Sequence, residues 1–372
     1  MRETDQANHS ARRNHRERRA VGAVALAGML GAGAGAATAE VPNVVTDIAP
    51  VQSLVAQVMG DLGAPELVLP PGASPHGHAL RPSEARALQS ADLVFWVGAD
   101  LTPWLADPLE TLAEDARHVA LMEVEGVRLL EMRDGPVFDA LVEGMSDAHG
   151  HGHDHAEDGA AHDDHGHDPD EEAAHGDHGH DHDEAVAEAH DDHGHDHAHG
   201  AYDPHVWLHP GNAAAWLRSI ADTLASADPG NAETYAANAA AALDGLGALE
   251  AELAERLAPV EGARFLVFHD AYQYFEDAFG LQVAGSIATA GGETPSAARL
   301  AELRASVEDT GVSCIAAEPQ FNPGLIAAVG EGTGAPTAVL DPIGVALSPG
   351  PDLYGDMMRG LAEALAGCVA KS

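Results

Sequence analysis

The stretch of the chain that most constrains its fold lies between Ser146 and Gly200. It contains sixteen of the 24 histidines and eighteen acidic residues, with no lysine, arginine or aromatic residue. So few apolar side chains cannot bury enough surface to offset the conformational entropy lost on ordering. We therefore expect residues 146–200 to be a disordered insertion, and the folded structure to be built from the residues on either side of it.

On both sides of the insertion, apolar runs of strand length alternate with segments compatible with helices. Runs that are apolar on both faces and separated by helices are typical of parallel sheets covered on both sides. The sequence therefore predicts an α/β fold of two domains, each with a mainly parallel sheet flanked by helices. The predicted strands are 43–48, 66–70, 92–98, 264–270, 282–287, 313–318 and 337–341, and the predicted helices include 50–60, 82–90, 295–309 and 323–331.

One long helix is predicted to join the two domains. Residues 231–257 are rich in alanine, and their leucines recur every three or four positions, which places them on one face of a helix about 40 Å long. Pro259 ends the helix, and a single helix makes a stiff connection. The predicted organisation is a signal peptide at 1–39, an N-terminal α/β domain at 40–229, a linking helix at 230–259 and a C-terminal α/β domain at 260–372.

The start of the chain has the pattern of a secretory signal. Residues 1–20 are polar and arginine-rich, residues 21–37 are small and apolar, and an A-x-A motif ends at Ala39. We expect cleavage near that residue and a mature protein free in solution outside the cytoplasm. Arg18 and Arg19 precede the apolar run directly, so both the general secretory route and the twin-arginine route stay open.

The formal net charge of −42 limits the choice of partners. Nucleic acids and anionic membrane faces are repelled by such an excess of negative charge, whereas cations are attracted. We therefore expect a cation-binding protein that binds no nucleic acid.

Both cysteines of the chain, Cys314 and Cys368, lie in its last part. An even number of cysteines in an exported protein favours a disulfide. Closing this loop of about fifty residues is worth on the order of 4 kcal/mol in the chain-entropy description. Two buried free thiols are the alternative.

Four side chains that can bind a metal follow the predicted elements. His76 follows the second predicted strand in a Gly/Pro-rich loop, His269 and Asp341 end the fourth and seventh strands, and His205 precedes a helical segment. Ligands of open parallel sheets bind beyond the carboxyl ends of the strands, so these side chains should meet between the domains. Three imidazoles and one carboxylate suit Zn²⁺, whereas a Mn²⁺ site would contain more oxygen donors.

Several segments of the chain resemble the substrate-binding proteins of bacterial high-affinity zinc ABC transporters. The resemblance covers essentially residues 41–372 outside the insertion. It implies two α/β domains joined by a rigid helix, zinc bound between them by His76, His205 and His269, and an ABC-type membrane permease as partner. The segments that carry it are LPPGASPHGHALRPSEARALQSADLVFWVG, YDPHVWLHP, FLVFHDAYQYFEDAFGL, SCIAAEPQFNP and VLDPIG.

The resemblance also bears on the remaining ligand and on metal choice. Asp341 matches the acidic fourth ligand of some members, while others use water or another carboxylate, so the fourth ligand is left open. Manganese-binding relatives typically have a carboxylate at the position of His269, and a histidine there favours zinc. The resemblance further implies a disulfide between Cys314 and Cys368.

Three further residues are rivals of this ligand set. His78 lies two positions after His76 in the same loop, and the motif favours His76. His209 is expected to start a helix rather than bind metal. Glu318 ends a strand, and we expect it to be structural or to support a ligand from behind.

The histidines of the insertion form a second group of candidate zinc ligands. Sites in a disordered chain must order it on binding, so each should be weaker than a preformed site. We expect the insertion to collect or buffer zinc and to pass it to the site between the domains. These auxiliary ligands are His149, His151, His153, His155, His162, His165, His167, His175, His178, His180, His182, His190, His193, His195, His197 and His199.

The sequence therefore predicts a monomeric periplasmic protein that captures Zn²⁺ and delivers it to a permease. We expect no enzymatic activity, since the chain has no H-E-x-x-H motif and a fourth carboxylate ligand would leave no position for a reactive water. Delivery of manganese or iron by the same fold, and a periplasmic zinc store or adhesin, are the alternatives.

Overall fold

The structure is a computed structural model. It describes residues 41–133, 200–288, 311–321 and 334–372, together with the single positions Ser296, Ala301 and Gly324. Apart from those positions, the predicted signal peptide, the insertion with its sixteen histidines, and the predicted helices 295–309 and 323–331 lie outside the described residues. The predicted domain boundaries stay a prediction.

In the part of the chain that is described, no helix has both the length and the apolar character needed to cross a bilayer.

The N-terminal half forms a four-stranded parallel sheet in the order β2-β1-β3-β4. The two central strands are almost entirely buried, which explains why their sequences are continuously apolar. β4 is absent from the predicted strands because it lies at the edge of this sheet, is half-exposed, and carries Arg117 and His118 in place of an apolar run. The strands are β1 Val44–Thr46, β2 Glu66–Leu67, β3 Leu93–Trp96 and β4 Arg117–Ala120.

Three helices cover this sheet: α1 Ala49–Met59, α2 Pro82–Gln89 and α3 Pro103–Leu112. The last two begin at a proline, whose fixed φ and missing N–H suit the first helical position. The predicted helices 50–60 and 82–90 are confirmed, and α3 is additional to them.

Two consecutive helices follow the insertion, α4 Pro210–Ala227 and α5 Ala232–Leu257. α5 has 26 residues, or about 39 Å at 1.5 Å per residue. Of the five leucines predicted to share one face, Leu243 is partly buried and the other four are buried, namely Leu246, Leu249, Leu253 and Leu257. The buried face packs on α1 and α4, so the predicted long helix is confirmed.

The C-terminal half repeats the architecture, with a four-stranded parallel sheet in the order β6-β5-β7-β8. All four strands were predicted, and each is shorter than the apolar run that predicted it. Their bounds are β5 Arg264–Val267, β6 Gln282–Ser286, β7 Cys314–Ala317 and β8 Thr337–Val339, and the described helices of this half are α6 Gln273–Phe279 and α7 Leu353–Val369. We call the two halves the N-lobe and the C-lobe; α5 joins them and also packs on α7.

Buried hydrogen bonds connect the lobes. The indole Nε1 of Trp207 donates to the carbonyl oxygen of Pro342 at 2.7 Å, and the hydroxyl of Tyr354 donates to the carbonyl oxygen of Trp207 at 2.9 Å. The hydroxyl of Ser53 in α1 also donates to the carbonyl oxygen of Pro351 at 2.9 Å. The segment around Trp207 is therefore attached to the C-lobe although it precedes α4.

A disulfide joins Cys314 at the start of β7 to Cys368 at the end of α7, with the Cα atoms 5.8 Å apart. Both residues are buried. The bond attaches the last helix to the C-terminal sheet, and the predicted pairing is confirmed.

Candidate metal centre

Three histidines from distant parts of the sequence meet between the lobes. His76, His205 and His269 each offer one ring nitrogen, and these nitrogens all lie within 4.8 Å of one another. The ring centroids are 5.2 to 5.9 Å apart, and the Nε2 atoms of His205 and His269 are 3.3 Å apart. Such a convergence of imidazoles is the donor set expected of a transition-metal site.

His205 is held by an acidic residue two positions earlier. Its Nδ1 lies 2.7 Å from Asp203 Oδ1, and its backbone N–H donates to the same oxygen at 2.9 Å. Both side chains are almost completely buried. An Nδ1 that donates to a carboxylate leaves Nε2 with a free lone pair, and Nε2 is the atom that faces His269.

His269 is held in the same way from the C-lobe. It follows β5, and its Nδ1 lies 2.6 Å from Glu318 Oε1, at the carboxyl end of β7. The Glu318 side chain is completely buried. Glu318 thus supports a candidate ligand from behind, as expected from the sequence.

His76 lies in the loop between β2 and α2. The indole Nε1 of Trp104 in α3 donates to the carbonyl oxygen of Pro75 at 2.7 Å, which fixes the backbone directly before the histidine. The Nε2 atom of His76 is buried and has no hydrogen-bond partner among the described residues. A buried ring nitrogen without a partner is costly in a folded protein, and a bound cation would satisfy it.

The cavity between the three rings is very small. Its free volume is about 10 Å³, which corresponds to one water-sized sphere. Residues of both lobes line it, among them Ser74 and Pro75 from the N-lobe and Phe321 and Pro342 from the C-lobe. The site therefore has room for a single ion and excludes an organic ligand.

Burial keeps two of the imidazoles neutral. Burial, with a smaller contribution from the other two histidines, lowers the pKa of His76 to about 2, and it lowers the pKa of His205 well below 6.5. Burial also acts to lower the pKa of His269, but the charge and hydrogen bond of Glu318 more than offset it, so the pKa of His269 is raised. Of the three histidines, His269 therefore holds a proton most readily.

A short paired segment connects the insertion to this site. Residues 128–133 and 200–205, which we call the stem, flank the insertion and run antiparallel, with the backbone N–H of Asp203 donating to Leu130 O at 2.9 Å. The hydroxyl of Tyr274 in α6 accepts from Leu130 N and donates to Asp203 O, both at 2.9 Å. The stem therefore fixes the carboxylate that orients His205.

Asp341, the predicted fourth ligand, stands outside the group of mutually close donor atoms, which among the described residues consists of the three histidines. It follows β8, its Oδ2 accepts from Ala346 N at 3.1 Å, and its Oδ1 is buried without a partner among the described residues. Its role as a ligand stays a prediction.

The two rival histidines have other partners. His78 Nε2 lies 2.8 Å from Glu84 Oε2, beside the ring of Trp104. His209 is the N-cap of α4, where its Nδ1 accepts from Gly211 N at 2.9 Å. These contacts agree with the sequence expectations for both residues.

Sequence reasoning missed the residues that orient the ligands. Asp203 lies within the motif YDPHVWLHP, and an acidic residue two positions before a candidate ligand is a usable signal for such a role. Tyr274 and Arg133 gave no such signal, because their contacts to the stem and the C-lobe depend on tertiary positions.

Comparison with known proteins gives an independent result. The sequence profile of the family described as zinc-uptake complex component A, periplasmic (ZnuA) matches residues 44–368. The high-affinity zinc uptake system protein ZnuA of Paracoccus denitrificans (strain Pd 1222) is 45% identical over 345 residues, which cover 92% of this chain and 97% of that protein.

Solved structures share the fold. A crystal structure of ZnuA, 22% identical, superimposes with a TM-score of 0.64 over 88% of this chain and 99% of the other. The solute-binding protein FpvC of Pseudomonas aeruginosa, solved with Mn²⁺, is 18% identical and has a TM-score of 0.65 over 89% of this chain and 99% of its own. With the family profile matching most of its length, this chain belongs to the periplasmic zinc-uptake component A (ZnuA) family.

Proposed function

We propose that this protein captures Zn²⁺ in the periplasm with His76, His205 and His269 and delivers it to an ABC-type membrane permease. Membership of the zinc-uptake family supports the transport role. The observation that carries the residue assignment is the convergence of three buried imidazole nitrogens within 4.8 Å of one another.

The chemistry of the donor set supports zinc over manganese. Zn²⁺ accepts tetrahedral coordination by imidazole nitrogen, whereas Mn²⁺ prefers oxygen ligands. With Nδ1 of His205 and His269 held by carboxylates, their Nε2 lone pairs point into one space and repel each other unless a cation or a proton lies between them. The buried carboxylates Asp203 and Glu318 also add negative charge beside the cation.

We propose Asp341 as the residue that completes the zinc coordination. Its Oδ1 is buried without a partner among the described residues, and it follows β8 at the same edge of the sheet as His269. Replacement by alanine, with zinc affinity measured against a competing chelator, tests this: wild-type affinity in Asp341→Ala would show that Asp341 is not the fourth ligand.

The ligand assignment is tested by titrating zinc against a competing chelator. We expect His76→Ala, His205→Ala and His269→Ala each to weaken binding by more than the roughly 10–100-fold typical of an outer-shell substitution. His118→Ala is the matched control, because His118 lies on β4 and its Nε2 lies 2.8 Å from a backbone carbonyl oxygen of the N-lobe. Retention of the tightest site in the triple variant would refute the assignment.

The insertion is proposed to collect zinc and to pass it to the three-histidine site. Its sixteen histidines and eighteen acidic residues support this role, as does its attachment through the stem, which contains His205. Removal of residues 148–199 should eliminate weaker zinc equivalents and leave the tightest one. Loss of the tightest equivalent would contradict this division of labour.

We further propose that the mature protein is a monomer without enzymatic activity, exported and cleaved near Ala39. The position of this chain in a family of transport components supports the absence of catalysis. N-terminal sequencing of the exported protein tests the cleavage site, and a hydrolase assay of the zinc-loaded protein tests for activity.

A further inference from the structure

Arg133, the last described residue before the insertion, lies in a buried cluster of charges. Its Nε donates to Asp270 Oδ2 at 3.0 Å and its Nη2 to Asp270 Oδ1, while its Nη1 and Nη2 donate to the two oxygens of Glu276 at 3.1 and 2.8 Å. The side chains are 19%, 6% and 11% exposed. One guanidinium therefore binds two nearly buried carboxylates in a bidentate manner, a geometry that lysine cannot reproduce.

The cluster connects the two candidate ligands that lie closest together. Arg133 belongs to the stem, which carries Asp203 and His205. Asp270 directly follows His269, and Glu276 lies in α6, where it also accepts from the backbone N–H of Val283 at 2.8 Å. Arg133 thus attaches the stem, which contains His205, to Asp270, which directly follows His269.

Other contacts also join the two sides, because Tyr274 of α6 bonds the stem and Trp207 bonds the C-lobe, but these are single neutral hydrogen bonds. Arg133 instead makes charge-assisted bidentate contacts. Asp203 orients the ring of His205 within the stem, and Glu318 orients the ring of His269 within the C-lobe, so neither sets the distance between the rings. The stem makes a second ion pair, between Arg128 and Asp277 of α6 at 2.7 Å. This pair is more exposed than the Arg133 cluster, and Asp277 lies further along the chain from His269 than Asp270 does.

We propose that Arg133 is a positioning residue for metal binding, which holds His205 and His269 at chelating separation by bridging the stem to Asp270 and Glu276. This inference rests on the proposed three-histidine zinc site. Loss of the bridge lets the stem move relative to the end of β5, so a bound ion loses its ligands more often and dissociates faster.

The same cluster adjusts the charge beside the ion. Arg133 compensates two of the buried carboxylates near the site, while Asp203 and Glu318 remain directed at the imidazoles. Burial raises the pKa values of Asp270 and Glu276, and the hydrogen bonds of Arg133 counteract this. Removing the guanidinium therefore leaves two carboxylates without their cation, and the test must separate this effect from loss of positioning.

The experiment compares Arg133→Gln, Arg133→Lys and the double variant Arg133→Gln/Glu276→Gln with the wild-type chain. Zinc dissociation is followed by stopped flow in excess chelator, and the site geometry by the visible absorption of the Co²⁺-loaded protein. We expect Arg133→Gln to dissociate zinc about 10–100-fold faster with an altered Co²⁺ spectrum, Arg133→Lys to lie between it and wild type, and the double variant to remain fast.

Arg359→Gln is the matched control. Arg359 also binds a carboxylate, Glu252 at 3.0 Å, but does so between α7 and α5, so zinc dissociation and the Co²⁺ spectrum should be unchanged. Arg128→Gln tests whether any charged contact between the stem and α6 has the same effect, and it should change the rate less than Arg133→Gln.

A wild-type dissociation rate and Co²⁺ spectrum in folded Arg133→Gln would overturn the inference. If that variant does not fold, wild-type behaviour of Arg133→Lys together with the double variant overturns it equally. If the double variant recovers the wild-type rate, uncompensated charge and not positioning is responsible, and the inference is also wrong. Failure of the underlying site is distinguishable, because the triple histidine variant would then still bind zinc tightly.

Discussion

At the scale of single residues, two buried carboxylates decide which ring nitrogens face the cavity between the three histidines. Asp203 and Glu318 each accept from an Nδ1 and so leave Nε2 free on His205 and His269. Burial raises the pKa of Asp203 to about 6, because an ionised carboxylate is less stable away from water. Contacts of the stem backbone with Leu130 and Tyr274 hold Asp203 in this buried position.

We expect Asp203→Asn and Glu318→Gln each to weaken zinc binding by about 10–100-fold, because outer-shell partners fix the orientation and basicity of a ligating imidazole. Competition with a chelator of known affinity measures the change. Asp222→Asn, at an exposed position of α4, is the control and should bind as wild type. Wild-type affinity in both test variants would mean that the imidazoles need no carboxylate support.

Zinc affinity should also fall with acid, starting at an unusually high pH. A proton and the metal compete for the same nitrogen, and the raised pKa of His269 extends this competition above the ordinary value of 6.5. Below that raised pKa, the affinity should decrease by about tenfold per pH unit for each proton displaced.

The variant Glu318→Gln tests whether the raised pKa of His269 causes this loss of affinity. Because Glu318 is the main group that raises the pKa of His269, its neutral variant should lose affinity only at lower pH than wild type does. Titrations between about pH 5 and pH 8, across the ordinary histidine range, measure both onsets. Identical onsets would show that another group controls the proton.

The sequence was sufficient to predict that His76, His205 and His269 lie together, but not which residues support them. His76, His205 and His269 follow strands or precede a helix, and parallel topology brings such positions to one edge. Arg133 and Tyr274 contact residues that are distant in sequence, and no local sequence pattern predicts such tertiary contacts. Asp341 shows a second limit of the sequence. Strand topology predicts the sheet edge on which Asp341 lies, but it does not predict the distance between Asp341 and the imidazoles.

At the scale of elements, α5 joins the lobes although its composition is not ideal for a helix. Gly245 and Gly247 lie in its interior, both are exposed, and a Cβ added at either position would meet no atom within 4 Å. Glycine costs about 0.5–1 kcal/mol relative to alanine in a helix interior. The helix is maintained by its buried leucines, which pack on α1, α4 and α7.

We expect Gly245→Ala/Gly247→Ala to increase the free energy of unfolding by about 1–2 kcal/mol, as the sum of two such contributions. Thermal or denaturant unfolding of the metal-free protein measures it. Leu253→Ala, at a completely buried position of the same helix, should instead lower the free energy of unfolding by about 2–5 kcal/mol. A decrease in the glycine variant would indicate that the two glycines serve a close contact in solution.

Strand prediction succeeded where burial on both faces produces a continuous apolar run. This holds for β1, β3 and β5, whose residues are mostly buried. It failed for β4, which pairs along its whole length with β3. This strand exposes part of its surface and begins with Arg117 and His118, so it has no continuous apolar run.

At the scale of the whole molecule, the disulfide attaches the C-terminal helix to the sheet that carries His269 and Glu318. Cys314 starts β7, which ends just before Glu318, and Cys368 lies near the end of the chain. The bond therefore stabilises the lobe that provides two of the buried groups of the site.

We expect Cys314→Ala/Cys368→Ala to lower the free energy of unfolding by about 4 kcal/mol, since a bond that closes a loop of this length restricts the unfolded chain by about that amount. Denaturant unfolding under oxidising conditions measures the change, and wild-type protein under reducing conditions should behave similarly. Equal stability with and without the bond would show that α7 is held by packing alone.

The hydrogen bonds around Trp207 divide the three nitrogens unequally between the lobes. Trp207 is bonded to Pro342 and Tyr354 of the C-lobe, so His205, two residues earlier, is anchored on the same side as His269, while His76 stays on the N-lobe beside Trp104. In the proposed site, any separation of the lobes along this division would withdraw His76 and leave His205 and His269 together. An ion that has lost a donor would then pass more easily to a receiving protein, which has only to offer more donors than remain.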